Sequence, residues 1–472
     1  MATTSKTLQQ YLSSINMESL PQSIRDAILV TEKLGMRRLW VDSLCIIQDD
    51  VADKAREIAQ MPQVYGNATV TIAAPRASGV EEGFLQERPI LGIENPDAVF
   101  ELPYRNRDGR LGSIIIIPQP IVPKIEVQPL DLRAWALQER LLSPRVLDFG
   151  PSQTSWFCQT NSLAKEIPTD GFLARTMSEE SAPNSALVKA SLFMLDQENR
   201  TLPTPLSYRN EVMESWQGVV YAYSRRALTQ PTDRPLAISG IATRFAKLLN
   251  SEYHAGLWEF AMASELLWYP ARPKSQFEEA RPKPRPQKYH GPSWSWFCIN
   301  DTVEWLTADA FCIGIVEIAV KLRDSKFGAI TSADLTIKGK VLPAKWIPRA
   351  VVKQTGPVFF KSMSSALARP DIEGNDGILE VEVLADSIFE DPDIPFHSVV
   401  LLQVTELEKS LEKDAVKWWG NGTVYRQSGI VLRKNDDATY SRLGLYHYST
   451  SNPDDEEAKW LQRGTSQVIT LV

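Results

Sequence analysis

A chain of 472 residues, 43% hydrophobic and 23% charged, is long enough to bury the cores of two or three domains. Its net charge of −7 and pI near 5.4 argue against a generic nucleic-acid or anionic-membrane surface, because both need a basic field. Cys45, Cys158, Cys298 and Cys312 are far apart, with no CxxC pair and no His at ligand spacing. Neither a metal site nor a disulfide framework is therefore suggested. The N-terminus MATTSKTLQQYLSS lacks an apolar secretory region, and the longest apolar run, SIIIIP at 113–118, is too short to cross a bilayer. These features lead to the expectation of a cytoplasmic protein with reduced thiols and no membrane span.

In chain order, SLPQSIRDAILVTEKLG at 19–35 predicts a helix, with a capping box from Ser19 to Gln22 and Gly35 as its stop. RRLWVDSLCII at 37–47 is almost continuously apolar and predicts a strand covered on both faces, interrupted by Asp42 and Ser43. A second helix is expected over 49–66, kinked or ended by Pro62, and NATVTIAAP reads as another buried strand. Helices alternating with apolar strands point to an α/β unit with a parallel sheet. Residues 99–118 predict a hairpin turning at Asp108-Gly109.

The expected organisation is an α/β domain at 1–160, a polar linker at 161–204 containing SEESAPNS, a mainly helical region at 205–320 and a β-rich region at 321–472. ARPKPRPQK at 280–288 reads as an exposed extended loop. DLTIKGKV, GILEVEVLA, SVVLLQVT, GIVLRK and YSRLGLYHYS are the strand candidates of the last region. The WSW at 294–296 reads as core, and the four histidines have no partner pattern.

DLRAWALQERLLSPRVLDFG at 131–150 carries the chemistry. At 100° per residue, Ala134, Leu137, Leu141 and Leu142 form an apolar arc, which Trp135 extends, and Glu139 lies at its border. Arg133 and Arg140 point the other way, and Pro144 stops the helix before the strand RVLDF. Glu139 is thus expected half in and half out beside a sheet. A salt-bridged or solvated role for this Glu remains open beside a catalytic one. Asp42 in an apolar stretch needs either a ligand or a structural partner, such as a cap or a salt bridge.

Residues 20–50, 61–74 and 133–150 together resemble the fungal heterokaryon-incompatibility (HET) family. YSRRALTQPTDRPLAISGIA at 223–242, GLWEFAMASELLW at 256–268 and GPSWSWFCIN at 291–300 resemble the C-terminal region that such proteins often carry. The resemblance implies an effector of cell death in non-self recognition. It also implies distant similarity to TIR domains, and hence a TIR/flavodoxin-like parallel sheet. In NAD-cleaving TIR proteins a Trp-x-x-x-Glu helix supplies the catalytic Glu, which Trp135-Ala-Leu-Gln-Glu139 matches here. By that resemblance Glu139 is catalytic and NAD is a substrate rather than a bound cofactor; Trp135 stacks on a ring or walls the pocket, and Asp42 and Ser43 are expected to contact the nucleotide because they lie near the C-terminal end of the expected strand 37–47, where open α/β sheets bind ligands. HET domains ordinarily begin with a strand reading approximately ALSYxWG, which would precede Met1, so an N-terminally truncated domain is expected. The alternatives are a non-enzymatic signalling module, acting through self-association or an unidentified protein partner, and an inactive truncated paralogue.

Overall fold

The computed structural model describes residues 2–87, 100–105, 107–116, 128–150, 154–158, 206–271, 283–308, 310–323, 329–348, 365–371, 378–379, 381–387, 397–409 and 424–472. The chain divides into two compact units, Met1–Arg200 and Thr201–Val472. The expected linker at 161–204 lies outside the described residues.

In the first unit, α1 (Leu8–Ser13) leads to α2 (Gln22–Lys33). The capping box does not form. Ser19 closes a 3-10 turn by donating to the Asn16 carbonyl (2.7 Å), and the Pro21 carbonyl accepts the first helical bonds from Ile24 and Arg25. Gly35 ends the helix at φ 71°, where a side chain would be strained. Buried Asp26 ties α2 to the loop at 83–85, its Oδ2 accepting from Phe84 N (2.7 Å) and Leu85 N (3.2 Å).

The expected strand at 37–47 is absent. Asp42–Cys45 instead winds into a one-turn helix, α3, whose first bonds run from Leu44 N and Cys45 N to the Val41 carbonyl at 3.0 and 2.8 Å. The Asp42 side chain accepts from Ser43 N (2.6 Å), a local bond that competes with a ladder. Thr3 takes up the remaining backbone groups, donating to the Ser43 and Leu44 carbonyls and accepting from Gln48 N. Asp50 caps α4 (Val51–Asn67), which continues through Pro62 rather than ending there.

The sheet of this unit comprises β1 (Thr71–Ala73), β4 (Arg145–Phe149) and β5 (Thr154–Cys158), with β4 in the middle. β1 and β4 run parallel, Thr71 opposite Val146, and β5 runs antiparallel. The sheet is therefore mixed, where an all-parallel one was expected. β2 (Phe100–Arg105) and β3 (Leu111–Ile116) form the predicted hairpin, with Gly109 at φ 83°. Helix α5 (Ala134–Leu142) precedes β4, and Val30, Phe84 and Phe149 form a core with Ile72 and Leu147 packed against them.

The second unit opens with α6 (Leu206–Ser224) and α7 (Leu236–Leu249), joined at Trp216, whose ring lies 5.3 Å from Phe245. A short hairpin, β6 (Tyr253–His254) and β7 (Leu257–Trp258), is followed by α8 (Met262–Glu265), β8 (Trp268–Pro270) and β9 (Val303–Trp305). The WSW segment is core: Trp294 and Trp296 are fully buried, and the Trp296 indole donates to the Gly256 carbonyl at 3.0 Å. Gly256 sits at φ 97°, and a Cβ there would meet that indole at 2.8 Å, so only glycine fits.

All the late strand candidates fall in one large mixed sheet of β10 (Gly314–Leu322), β11 (Ile330–Pro348), β12 (Ser365–Ala368), β13 (Ile378–Leu379), β14 (Glu382–Ala385), β15 (His397–Gln403), β16 (Glu408–Lys409), β17 (Tyr425–Lys434), β18 (Tyr440–Thr450) and β19 (Thr465–Leu471). The short helix α9 (Glu456–Leu461) separates the last two strands. Five of the strands close a ring in the order β11, β15, β17, β18, β19 and back to β11, the last gap being the single parallel pair Tyr440–Leu471. A ring removes the open edges that a flat sheet would present.

A buried ion pair fastens this ring to the Trp-rich segments. Arg442 on β18 is fully buried and holds Asp386 through Nε at 2.9 Å and Nη2 at 3.2 Å. It also donates to the carbonyls of Leu266 (2.6 Å) and Trp268, with its guanidinium 3.6 Å from the Trp268 ring centre. Removing one partner of such a pair strands a charge without water. Asp386→Ala is expected to cost about 3–5 kcal/mol in urea unfolding. A loss below about 1 kcal/mol would show that water reaches Arg442.

Candidate active site

Helix α5 is placed by its apolar face: Ala134, Leu137, Leu141 and Leu142 are buried, as are Ala136 and Gln138. Ser143 fixes its end, its hydroxyl bridging the Glu139 carbonyl and Thr71 Oγ1 at 2.6 Å each. Arg140 does not point away as the wheel suggested. Its Nη1 pairs with buried Asp148 on β4 at 2.7 Å, and its guanidinium lies 4.7 Å from the Phe157 ring centre. A buried carboxylate on the central strand outcompetes solvent for that cation.

Glu139 is half-buried, as expected, one turn from half-buried Trp135. Its neighbours come from three other segments. Tyr65, in the last turn of α4, acts on its carboxylate as a hydrogen-bonding neighbour, and Asp42 from α3 and Arg133 from the start of α5 act on it electrostatically. The Trp40 indole meets the Tyr65 ring edge-on at 5.7 Å and braces it. Desolvation pushes the Glu139 carboxyl up to about 7. The Arg133 cation pulls the other way, the Asp42 anion adds to the rise, and the Tyr65 hydrogen bond opposes it. Burial and the Glu139 anion hold Tyr65 well above its ordinary value, so it remains a donor.

Of the residues singled out in the sequence, Asp42 reaches Glu139. Ser43 is not among the groups that act on Glu139; its backbone carbonyl accepts from Thr3 N, and Trp135 shares the helix of Glu139. Tyr65, Trp40 and Arg133 were missed. Tyr65 lies in an unremarkable VYGN helix end, and only the packing of α4 against α5 brings it to the carboxylate. Two carboxylates, a locked phenol and a guanidinium can hold hydroxyls and stabilise positive charge, with the raised group able to exchange a proton near neutrality.

Residues 2–139 match the family model described as heterokaryon incompatibility protein (HET). The chain carries a HET domain. That domain spans α1 to α5, includes Trp40, Asp42, Ser43, Tyr65, Arg133 and Trp135, and ends at Glu139. It implies a role in heterokaryon incompatibility, a fungal process. No curated protein and no solved structure matches the chain. Among the described residues no helix is long and apolar enough to cross a membrane.

The causes of the Glu139 shift separate by substitution. Asp42→Asn removes the like charge and is expected to lower the Glu139 midpoint, whereas Tyr65→Phe removes a bond to the charged form and raises it. Carbon-13 NMR of the carboxyl group reads both; unchanged midpoints would mean that the three groups do not meet. Because the folded value exceeds the unfolded one, Glu139 makes stability fall as pH rises from about 4.5 to about 7, with no further loss above that. Glu139→Gln should flatten that part of the profile.

Proposed function

We propose that the HET domain hydrolyses the bond between nicotinamide and ribose in NAD or a related nucleotide, with Glu139 as the catalytic carboxylate, as a cell-death effector in non-self recognition. The observation carrying this reading is the desolvated Glu139 carboxyl, pushed up to about 7 and held by Tyr65 beside a second carboxylate, Asp42. As the glycosidic C–N bond breaks, its electron pair leaves with the nicotinamide, which departs neutral, and positive charge develops on the ribose. Ionised Glu139 stabilises that charge or orients the ribose hydroxyls, water adds to the sugar carbon, and one proton is released. Asp42 and Ser43 take ribose hydroxyls, and Trp135 walls the ring. The reading keeps the TIR-like sheet in reduced form, with the parallel β1–β4 pair as its common element. The protein acts in the cytoplasm, where NAD is available.

A second reading has its own observation. The β2–β3 hairpin exposes Phe100 at 60%, Leu102 at 48%, Tyr104 at 47% and Leu111 at 74%, the character of a contact surface. A HET domain that signals by self-association, or through an unidentified partner, would use such a face without chemistry.

Glu139→Gln separates the two. It preserves size and helix propensity and removes the buried charge, so stability at neutral pH does not fall, while NAD cleavage by the full chain falls about 100-fold or more. Killing of a yeast host should decline in step with NAD loss. Full killing with NAD unchanged overturns the enzymatic reading in favour of association. Trp135→Ala is expected to lower both stability and substrate affinity, by the loss of a large half-buried side chain.

A further inference from the structure

The second unit contains a cleft of about 390 Å³ lined by Arg285, Lys288, Tyr289, His290, Cys298 and Asp334, among others. One group of its wall, His290, has an unpartnered polar atom. His290 is 5% exposed, yet its Nδ1 has no hydrogen-bond partner among the described residues. Arg234, outside the lining, is 6% exposed, with Nε and Nη2 equally without a partner among the described residues. Arg234 acts electrostatically on both His290 and Cys298, which line the cleft.

A guanidinium cannot shed its proton, so this charge must be met by something else. The nearby carboxylates are already engaged. Asp386 serves Arg442 at 2.9 Å and Arg285 at 3.6 Å, and Asp301 pairs with Lys283 at 3.6 Å. The Trp296 ring, 5.5 Å from the Arg234 guanidinium, offsets only part of its charge. Cys298 is no counter-ion, since burial raises its thiol. Lys288, exposed at the mouth, adds another cation, and Asp334 returns one negative charge.

We propose that this cleft binds a small organic phosphate, its phosphoryl group on Lys288, Arg285 and His290 and its organic part against the half-exposed Tyr289 ring. Two cations, Lys288 and Arg285, beside the imidazole of His290, whose pKa burial and the nearby Arg234 and Lys288 charges lower, suit a multiply charged tetrahedral anion better than one carboxylate. The volume exceeds that of inorganic phosphate and falls in the range of small-ligand pockets, about 300–1,000 Å³. The cleft residues all belong to the second unit, Glu139 to the first.

Calorimetric titration of the full chain with AMP and with adenosine tests it. AMP is expected to bind, adenosine to bind at least about tenfold more weakly, and Lys288→Glu to weaken AMP by at least about tenfold while leaving the unliganded melting temperature unchanged. Glu139→Gln should leave AMP binding intact, which separates this cleft from the proposed NAD site. No heat with AMP, equal affinity for adenosine, or AMP binding indifferent to Lys288→Glu overturns the proposal.

Discussion

Arg442 carries a charge it cannot lose into a place that water does not reach, and the architecture of the second unit follows from satisfying it. One side chain must collect Asp386, two carbonyls and an aromatic face, and these come from β8, from the turn after α8 and from the segment following β14. Arg285 adds a further tie, donating to the Arg442 carbonyl at 2.5 Å. Such a network stabilises less than its gross energies suggest, because desolvation offsets most of the Coulombic attraction. What it supplies is selectivity. A packing that misplaced any of these segments would leave a bare guanidinium in the core.

The first unit meets the same constraint with a group that can titrate. A desolvated carboxylate lowers its cost by binding a proton, so Glu139 sits near neutrality instead of being fully matched by a cation. Arg133 and Tyr65 counter the burial only in part, and Asp42 works against them. A charge left deliberately under-compensated is costly in a scaffold and useful in a catalyst. This contrast between Arg442 and Glu139 is the physical ground for reading the first as structural and the second as functional.

Much of this was legible in the sequence wherever one periodicity held over several residues. The β2–β3 hairpin announced itself through Asp108-Gly109, the late strands through alternation, and α5 through its apolar arc. The segment 37–47 misled because composition alone suggested a buried strand. Asp42 and Ser43 supplied local hydrogen bonds that turned the chain, and Thr3 supplied the partners that a neighbouring strand would have given. Glu139 could be named from its helix position and from the likeness to a known family. Its setting could not, because Tyr65 and Trp40 belong to segments whose own patterns carry no trace of a partner in α5. The unpartnered Arg234 and His290 were equally silent, since an orphaned atom is defined by what surrounds it in space.

The ring in the second unit has a consequence for how the molecule is made. Its closing contacts join β11 to β19, Leu335 opposite Leu471, so the strand that completes the ring is synthesised long after the strand it must meet. Until then β11 lacks a partner along residues 335–341, while β18, flanked by β17 and β14, lacks only the pairing at Tyr440. Folding of this unit is consequently tied to completion of synthesis through β19. A ribosome that stalls before Thr465 releases a chain with the β11 edge open, a substrate for chaperones and a hazard for aggregation rather than a working half of the protein.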